Sequence, residues 1–402
     1  MKFKLFVLSC FVIAILSCQN KMPILPDTNN STKVDSLSLE LVWEKPLDSN
    51  FQKIQIYPFP IGEKIIHTYD WGLSQLLVYR NGKTGEEIKR IYYDQLIYPK
   101  KAKVFEDKLV YTSAKFMTVL DPNIEHFINI YASQERRLLY GDRFQMFKDL
   151  IVTNEDTFQA GDSLDRIIMA NVKTGTSKTA YSFKKNKSRN YFFNNPQIWI
   201  DEVGDTILTV GRELYNYASA PANLLSYNIS KNKVLFDIVF PYNTENVYDN
   251  FICSKNKIYL IKAVRGVTCI DGKTGKSIWS HTIENDNNGG VQMYLFDDKL
   301  VVYSPAYKKR LLCFNADTGT LLWLNNDVPF FKDDTNVILI DNILYFGKDD
   351  YIYGVDKNTG ELVKKQRVTN GKNHLISNLS YSEINKLIYA IDSNFIKAFR
   401  IK

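Results

Sequence analysis

Apolar and polar positions alternate along this chain in short blocks, without the long stripes that helices would need. The clearest block is Cys269-Ile-Asp-Gly-Lys-Thr-Gly-Lys-Ser-Ile-Trp279, where apolar residues lead up to Asp271, polar residues fill the middle, and apolar residues resume at Ile278. That pattern predicts two strands joined by a glycine-containing loop. Asp271 and Thr274 can accept hydrogen bonds from turn N–H groups, and Gly275 takes a positive φ at least cost. The block recurs at Cys313–Trp323 and again at Gly354–Lys364.

Indexed by its Asp/Asn, with Thr three and Gly four residues on, the turn appears at five clear places. They are Asn81 (Thr84, Gly85), Asn171 (Thr174, Gly175), Asp271 (Thr274, Gly275), Asn315 (Thr318, Gly319) and Asp356 (Thr359, Gly360). Degenerate copies stand at Asp121 and Asn228, the latter with Asn232 in the glycine place and Phe236 in the tryptophan place. Asn tolerates left-handed backbone better than most residues. The index positions are 40, 50, 57, 43, 44 and 41 residues apart, the period of a β-propeller. A further strand precedes each turn, at Lys64–Tyr69, Lys108–Thr112, Leu150–Asn154, Thr206–Val210, Lys257–Ile261, Lys299–Tyr303 and Ile343–Phe346. These make seven complete units.

The C-terminal strands Lys386–Ala390 and Phe395–Lys402 stop where another turn would begin. The strand they lack is at the other end, in Leu39–Leu47, with Trp43 in the tryptophan place. Pairing the two predicts an all-β, eight-bladed propeller over residues 39–402, closed by an N-terminal strand joining the C-terminal blade. Closure protects strand edges that an open array would expose. Seven blades is the alternative.

Residues 1–17 carry Lys2 and Lys4, then an apolar run too short to span a bilayer as a mature helix. The ending Ile15-Leu-Ser-Cys18 resembles a bacterial lipobox, which makes Cys18 the lipidated first mature residue; an ordinary secretory peptide cleaved nearby is the alternative. Residues 18–38, polar and with Pro23 and Pro26, read as a flexible tether.

Composition adds little that discriminates. Aromatics are 13% of the chain, with 25 Tyr and 24 Phe, which suits short strands. The formal charge of +7 falls to +5 when Lys2 and Lys4 leave with the signal peptide (7 − 2 = 5), and it is spread along the chain. An exported protein of this kind is not expected to meet nucleic acid. With Cys18 taken for lipid, Cys253, Cys269 and Cys313 remain, too few for a disulfide framework, although one bridge among them stays open. His67, His126, His281 and His374 show no metal spacing, and the pairs Asp297-Asp298, Asp333-Asp334 and Asp349-Asp350 fit turns. Asn288-Gly289-Gly290 reads as a turn, and neither a phosphate loop nor a nucleophile elbow is present.

The pattern Ala-x-Asp-x-x-Thr-Gly-x-x-x-Trp resembles the repeat of quinoprotein-like (pyrroloquinoline-quinone-type) β-propellers. Cys269–Trp279 departs only in Cys for Ala, and Cys313–Trp323 in Cys for Ala and Asn for Asp. The resemblance implies that Trp43, Trp279 and Trp323 dock against the neighbouring blade. In the other units that place holds Lys89, Asn129, Thr179, Phe236 and Lys364. Enzymes of the family hold the quinone and Ca²⁺ inside the ring and commonly carry a vicinal cysteine pair, which this chain lacks. The expectation is therefore a non-enzymatic protein with no cofactor or metal. The non-catalytic branch includes the lipid-anchored propeller of the outer-membrane β-barrel assembly machinery, which the chain resembles in length, anchor and repeats.

Two stretches stand out as candidate partner surface. Tyr181–Trp199 combines Lys184, Lys185, Lys187 and Arg189 with Tyr191, Phe192, Phe193 and Trp199, the materials of interface hot spots. Glu213–Leu224 adds Tyr215 and Tyr217. Both lie in or beside the two widest units, where insertions extend from a propeller face. The expected protein is a monomeric, lipid-anchored envelope scaffold that binds other envelope proteins. Gln19-Asn20 after the lipid cysteine favours the outer membrane. Glycan or small-molecule binding and quinone-dependent oxidation are the competing classes.

Overall fold

The computed structural model describes residues 38–48, 57–71, 74–93, 102–112, 116–121, 126–132, 138–139, 144–156, 164–184, 191–214, 222–240, 251–262, 266–283, 292–304, 310–329, 336–369 and 375–402. The signal segment 1–17 and all of the tether but Ser38 lie outside these residues.

Among the described residues, thirty-three strands form eight antiparallel sheets in a ring, seven of four strands and one of five. We name the four strands of each blade a to d from the axis outward. In blade 5 they are Ile252–Ser254, Lys257–Lys262, Gly266–Asp271 and Ser277–Thr282. Blade 8 takes its first three strands from the C-terminus (Leu375–Ser382, Leu387–Asp392, Phe395–Ile401) and its fourth from the N-terminus (Leu39–Pro46). The architecture is thus an eight-bladed β-propeller, and the seven-bladed alternative falls away.

Blade 3 carries a fifth strand, Leu138–Leu139, on its b strand, which the sequence did not announce. The strand expected to begin at Lys386 begins at Leu387, because Lys386 takes a φ of 54° in the preceding turn. The turn of blade 2, at 122–125, lies outside the described residues.

Strands b and c supply the core. Leu387–Asp392 is buried at every position, and Gly266–Val267–Thr268–Cys269–Ile270 is buried before the turn begins. Such strands face a neighbouring blade on each side, so they read as continuous apolar runs. The described core falls into eight clusters, one at each blade junction; the junction of blades 5 and 6, for example, joins Val267, Cys269 and Trp279 to Leu300, Val302 and Phe314. The described core lies between blades.

The closing strand touches three blades. It pairs with Phe395–Ile401 from Leu39↔Ile401 to Pro46↔Phe395. Gln366 of blade 7 donates to Leu39 O and accepts from Leu39 N, both at 2.7 Å. Towards blade 1, Asp48 N donates to Tyr69 Oη (3.0 Å), and the Asp48 carboxylate meets Arg90 at 2.9 Å.

Candidate partner-binding face

The two faces of the ring differ in kind. Strand order places the a–b and c–d turns on one face, and the b–c and d–a connections on the other. The first, the turn face, is closed by side chains. Asp271 Oδ1 accepts from Lys273 N (3.0 Å), Thr274 N (2.7 Å) and Thr274 Oγ1 (2.8 Å), while Gly275 N donates to Asp271 O. Asn81, Asn171, Asn315 and Asp356 cap their turns the same way, reaching Thr84, Thr174, Thr318 and Thr359. Gly85, Gly175, Gly275, Gly319 and Gly360 all have φ between 69° and 76°, and Asn232 has 53°.

The turns at Gly85, Gly275, Gly319 and Gly360 lean on strand d of the preceding blade. Trp43 Nε1 donates to Gly82 O (2.9 Å), Trp279 Nε1 to Ala316 O (3.2 Å) and Trp323 Nε1 to Lys357 O (2.9 Å). A Cβ on Gly85, Gly319 or Gly360 would come within 2.5 Å of the respective indole. Phe236 and Ile238 occupy that place against Gly275. Gly175, whose neighbour in blade 2 is Asn129, would meet nothing within 4 Å. Ion pairs bridge the same turns across blades: Lys173 to Glu106 (2.8 Å), Lys357 to Asp297 (2.9 Å) and Lys257 to Asp317 (2.5 Å). The hydrogen bond from Lys357 holds the Asp297 carboxyl below its usual range, and that from Lys257 does the same for Asp317. The polar groups of this face are therefore largely engaged with each other.

The inner a strands are also engaged. Their free edges meet side chains of the preceding blade: Lys103 Nζ donates to Phe144 O (2.9 Å), and Gln145 Oε1 accepts from Ile198 N (2.5 Å). Gln197 donates to Phe251 O and accepts from Cys253 N, and Asn336 bonds Leu379 through both N and O. Desolvation lowers the Lys103 pKa. These non-local bonds are invisible to turn and strand patterning.

The opposite face, the loop face, carries the longer connections, and the two candidate stretches leave it side by side. Lys184 ends strand d of blade 3, opposite Leu164. Tyr191 and Phe192 begin strand a of blade 4, with Tyr191 opposite Leu214, the last residue of strand b. Lys185, Arg189, Tyr215 and Tyr217 lie outside the described residues, in the connections 185–190 and 215–221 that depart from these strand ends. Below them Arg212 spans the junction. Its guanidinium bonds Asp237 and lies 5.0 Å from the Phe183 ring centroid, while the rings of Tyr181 and Tyr227 meet at 4.8 Å, tilted by 60°. Trp199, grouped by sequence with the surface stretch, is instead a core residue. It is 3% exposed, donates to Thr209 Oγ1 (3.0 Å), and packs against Gly272.

The chain has no vicinal cysteines, and among the described residues no three His, Cys, Asp or Glu side chains converge to hold an ion. Cys253, Cys269 and Cys313 are free thiols; burial raises all three, Cys269 and Cys313 to about 12. His67 is buried and neutral. Burial, with Arg80 beside it, lowers its pKa to about 3, and Arg80 Nε donates to its Nε2 (3.1 Å).

Residues 243–366 match the family model described as outer membrane protein assembly factor BamB. No curated protein matches the chain in sequence. Among solved structures, BamB from Moraxella catarrhalis aligns over 90% of this chain and 100% of its own, at 13% identity and a TM-score of 0.52. A europium-containing methanol dehydrogenase aligns over 92% and 95%, at 8% identity and 0.57. The quinohemoprotein alcohol dehydrogenase from Comamonas testosteroni aligns over 93% and 78%, at 11% identity and 0.56. At these identities all three likenesses concern the fold alone. The chain is a β-propeller of quinoprotein-type repeats, similar to the outer membrane protein assembly factor BamB.

Proposed function

We propose that the protein is a non-enzymatic scaffold of the bacterial cell envelope, anchored through lipid on Cys18 and acting in outer-membrane protein assembly. The observation that carries this reading is the asymmetry of the ring. One face is closed by capped turns, docked indoles and interblade ion pairs, whereas the other carries the longer connections, including both candidate stretches. A rigid ring with one such face presents loops in a fixed geometry to a protein partner. The family match over 243–366 points to the same kind of role. Lys184, Lys185 and Arg189, with the aromatic residues beside them, are the proposed contact set. Tyr215 and Tyr217 extend it across the adjoining connection.

Charge reversal of Lys184, Lys185 and Arg189 together tests the proposal. Recovery of crosslinked envelope partners should fall while the melting temperature holds, because substitutions away from the core, at a strand end and in the connection that follows it, usually change stability little. Undiminished recovery would refute the assignment. If added pyrroloquinoline quinone raised the melting temperature of the purified protein, the non-enzymatic reading would fail as well.

A further inference from the structure

Blade 4 has an inner hairpin unlike its neighbours. Its a–b ladder runs from Ile200↔Thr206 to Tyr191↔Leu214, whereas that of blade 5 covers only Ile252–Ser254 against Lys257–Tyr259. The ladder between strands b and c ends at Arg212↔Asn223. Tyr191 and Phe192 therefore face Leu214 and Glu213 in a two-stranded extension on the loop face. Asn195, with a φ of 49°, and a break in register between Asn194 and Gln197 separate this extension from the regular blade. Tyr191 and Phe192 project about 7 Å beyond the b–c ladder, at roughly 3.4 Å per residue, and Phe193 and Asn194 lead into them.

The register also shows which backbone groups lie on the open edge. Ile198 N donates to Gln145 Oε1 of blade 3, so Ile198 turns its backbone away from strand b. Its neighbour Leu208 therefore belongs to a pair that exchanges no hydrogen bonds, and by alternation along strand b so do Arg212 and Leu214. Their partners Phe193 and Tyr191 thus direct N–H and C=O towards the free inner edge. Strand a is the edge of its sheet, so no further strand pairs there among the described residues. Lower on the same strand the edge is met by Gln145. Arg212, opposite Phe193, is 6% exposed, and its Nε finds no acceptor among the described residues.

We propose that the Tyr191–Asn194 edge is a strand-acceptor site, taking an extended peptide segment of a protein partner by β-strand addition. Main-chain hydrogen bonds supply affinity in this mode, and alternate side chains supply preference. The edge faces the propeller axis, which favours a single chain over a second copy of this protein. An added strand needs only about 5 Å of width, whereas a second copy would have to bring its own ring into the same space. The biological role of the site rests on the loop face being the partner face.

Proline substitution separates this edge from the ladder behind it. Phe193→Pro removes an N–H that points away from strand b, which edge strands tolerate. The probe is a fluorescein-labelled peptide of alternating threonine and valine with a glutamate at each end, titrated by anisotropy. Phe193→Pro should weaken binding about tenfold, as expected for one lost hydrogen bond and a blocked edge. Phe193→Val should bind like the parent, since it keeps the backbone. If Phe193→Pro lowers the melting temperature, Tyr191→Pro, on the same edge, carries the test. Equal binding by the parent and the proline variant would overturn the proposal. So would equal losses in the valine and proline variants, or a concentration-dependent dimer that Phe193→Pro abolishes. Because the titration uses purified protein, its failure is distinct from a failure of partner recovery in cells.

Discussion

Gly85 and Gly175 form a matched pair on which the docking of blades can be measured. Both occupy the same turn position, with φ of 71° and 69°. An alanine at either one pays roughly 1–2 kcal/mol for left-handed backbone, offset by about 0.4–1 kcal/mol from a less flexible unfolded chain. Gly175→Ala should therefore destabilise by roughly 0–1.6 kcal/mol, because its Cβ enters open space and adds no clash. At Gly85 the new Cβ would lie 2.5 Å from Trp43 Cε3 and 2.6 Å from Cδ2. Relief requires the indole to retreat by about 1 Å, an overpacking term of roughly 1–3 kcal/mol. The same retreat strains the Trp43–Gly82 hydrogen bond, worth about 1 kcal/mol. Gly85→Ala should thus lose about 2–4 kcal/mol more than Gly175→Ala in urea denaturation. In a Trp43→Ala background the excess should vanish, since the two effects share one contact. Equal losses at the two glycines, or an excess that survives removal of the indole, would refute the docking argument.

Two further outcomes follow from buried or anchoring groups. His67 is held neutral in the folded state, with its pKa lowered from 6.5 to about 3, so the unfolded chain binds the proton more readily between those values. Stability should fall as pH drops below 6.5, by about 1.4 kcal/mol at one unit below, and His67→Gln should flatten that limb in pH-dependent melts. Carboxyls held low by lysine partners, such as Asp297 and Asp317, add losses of the same sign at more acid pH. Cys18→Ser should move the protein from the membrane fraction to the soluble envelope fraction; full retention in membranes would contradict lipid anchoring.

The architecture was legible because its determinants are local. An Asx-type cap, a Thr and a left-handed Gly recur at Asn81, Asn171, Asp271, Asn315 and Asp356, and each fixes a c–d turn without help from elsewhere. The closing strand could be found because Trp43 carries the same label as Trp279 and Trp323. What escaped the sequence depends on distant partners. Gln145 and Gln197 look like ordinary strand polars, and Asn336 stands just before a strand, yet each bonds the edge of the next blade. Trp199 lay in a basic, aromatic stretch that suggested surface, but an elongated strand carries it inward onto Gly272. Lys364 occupies a tryptophan place and is nevertheless only 5% exposed, so residue type alone did not reveal packing there. The contact set on the loop face was marked by composition, which names materials and not geometry.

The central claim is that one face of the ring meets partners and the other does not. A photo-crosslinking amino acid placed in cells at Lys184, the loop-face end of strand d in blade 3, and at Tyr215, next in the chain after Leu214, and at Lys83 and Asn358 on the turn face, tests it directly. The account predicts discrete crosslinked envelope proteins from the loop-face positions and none above background from the turn face. Equal crosslinking from both faces, or partners captured only at Lys83 and Asn358, would contradict it.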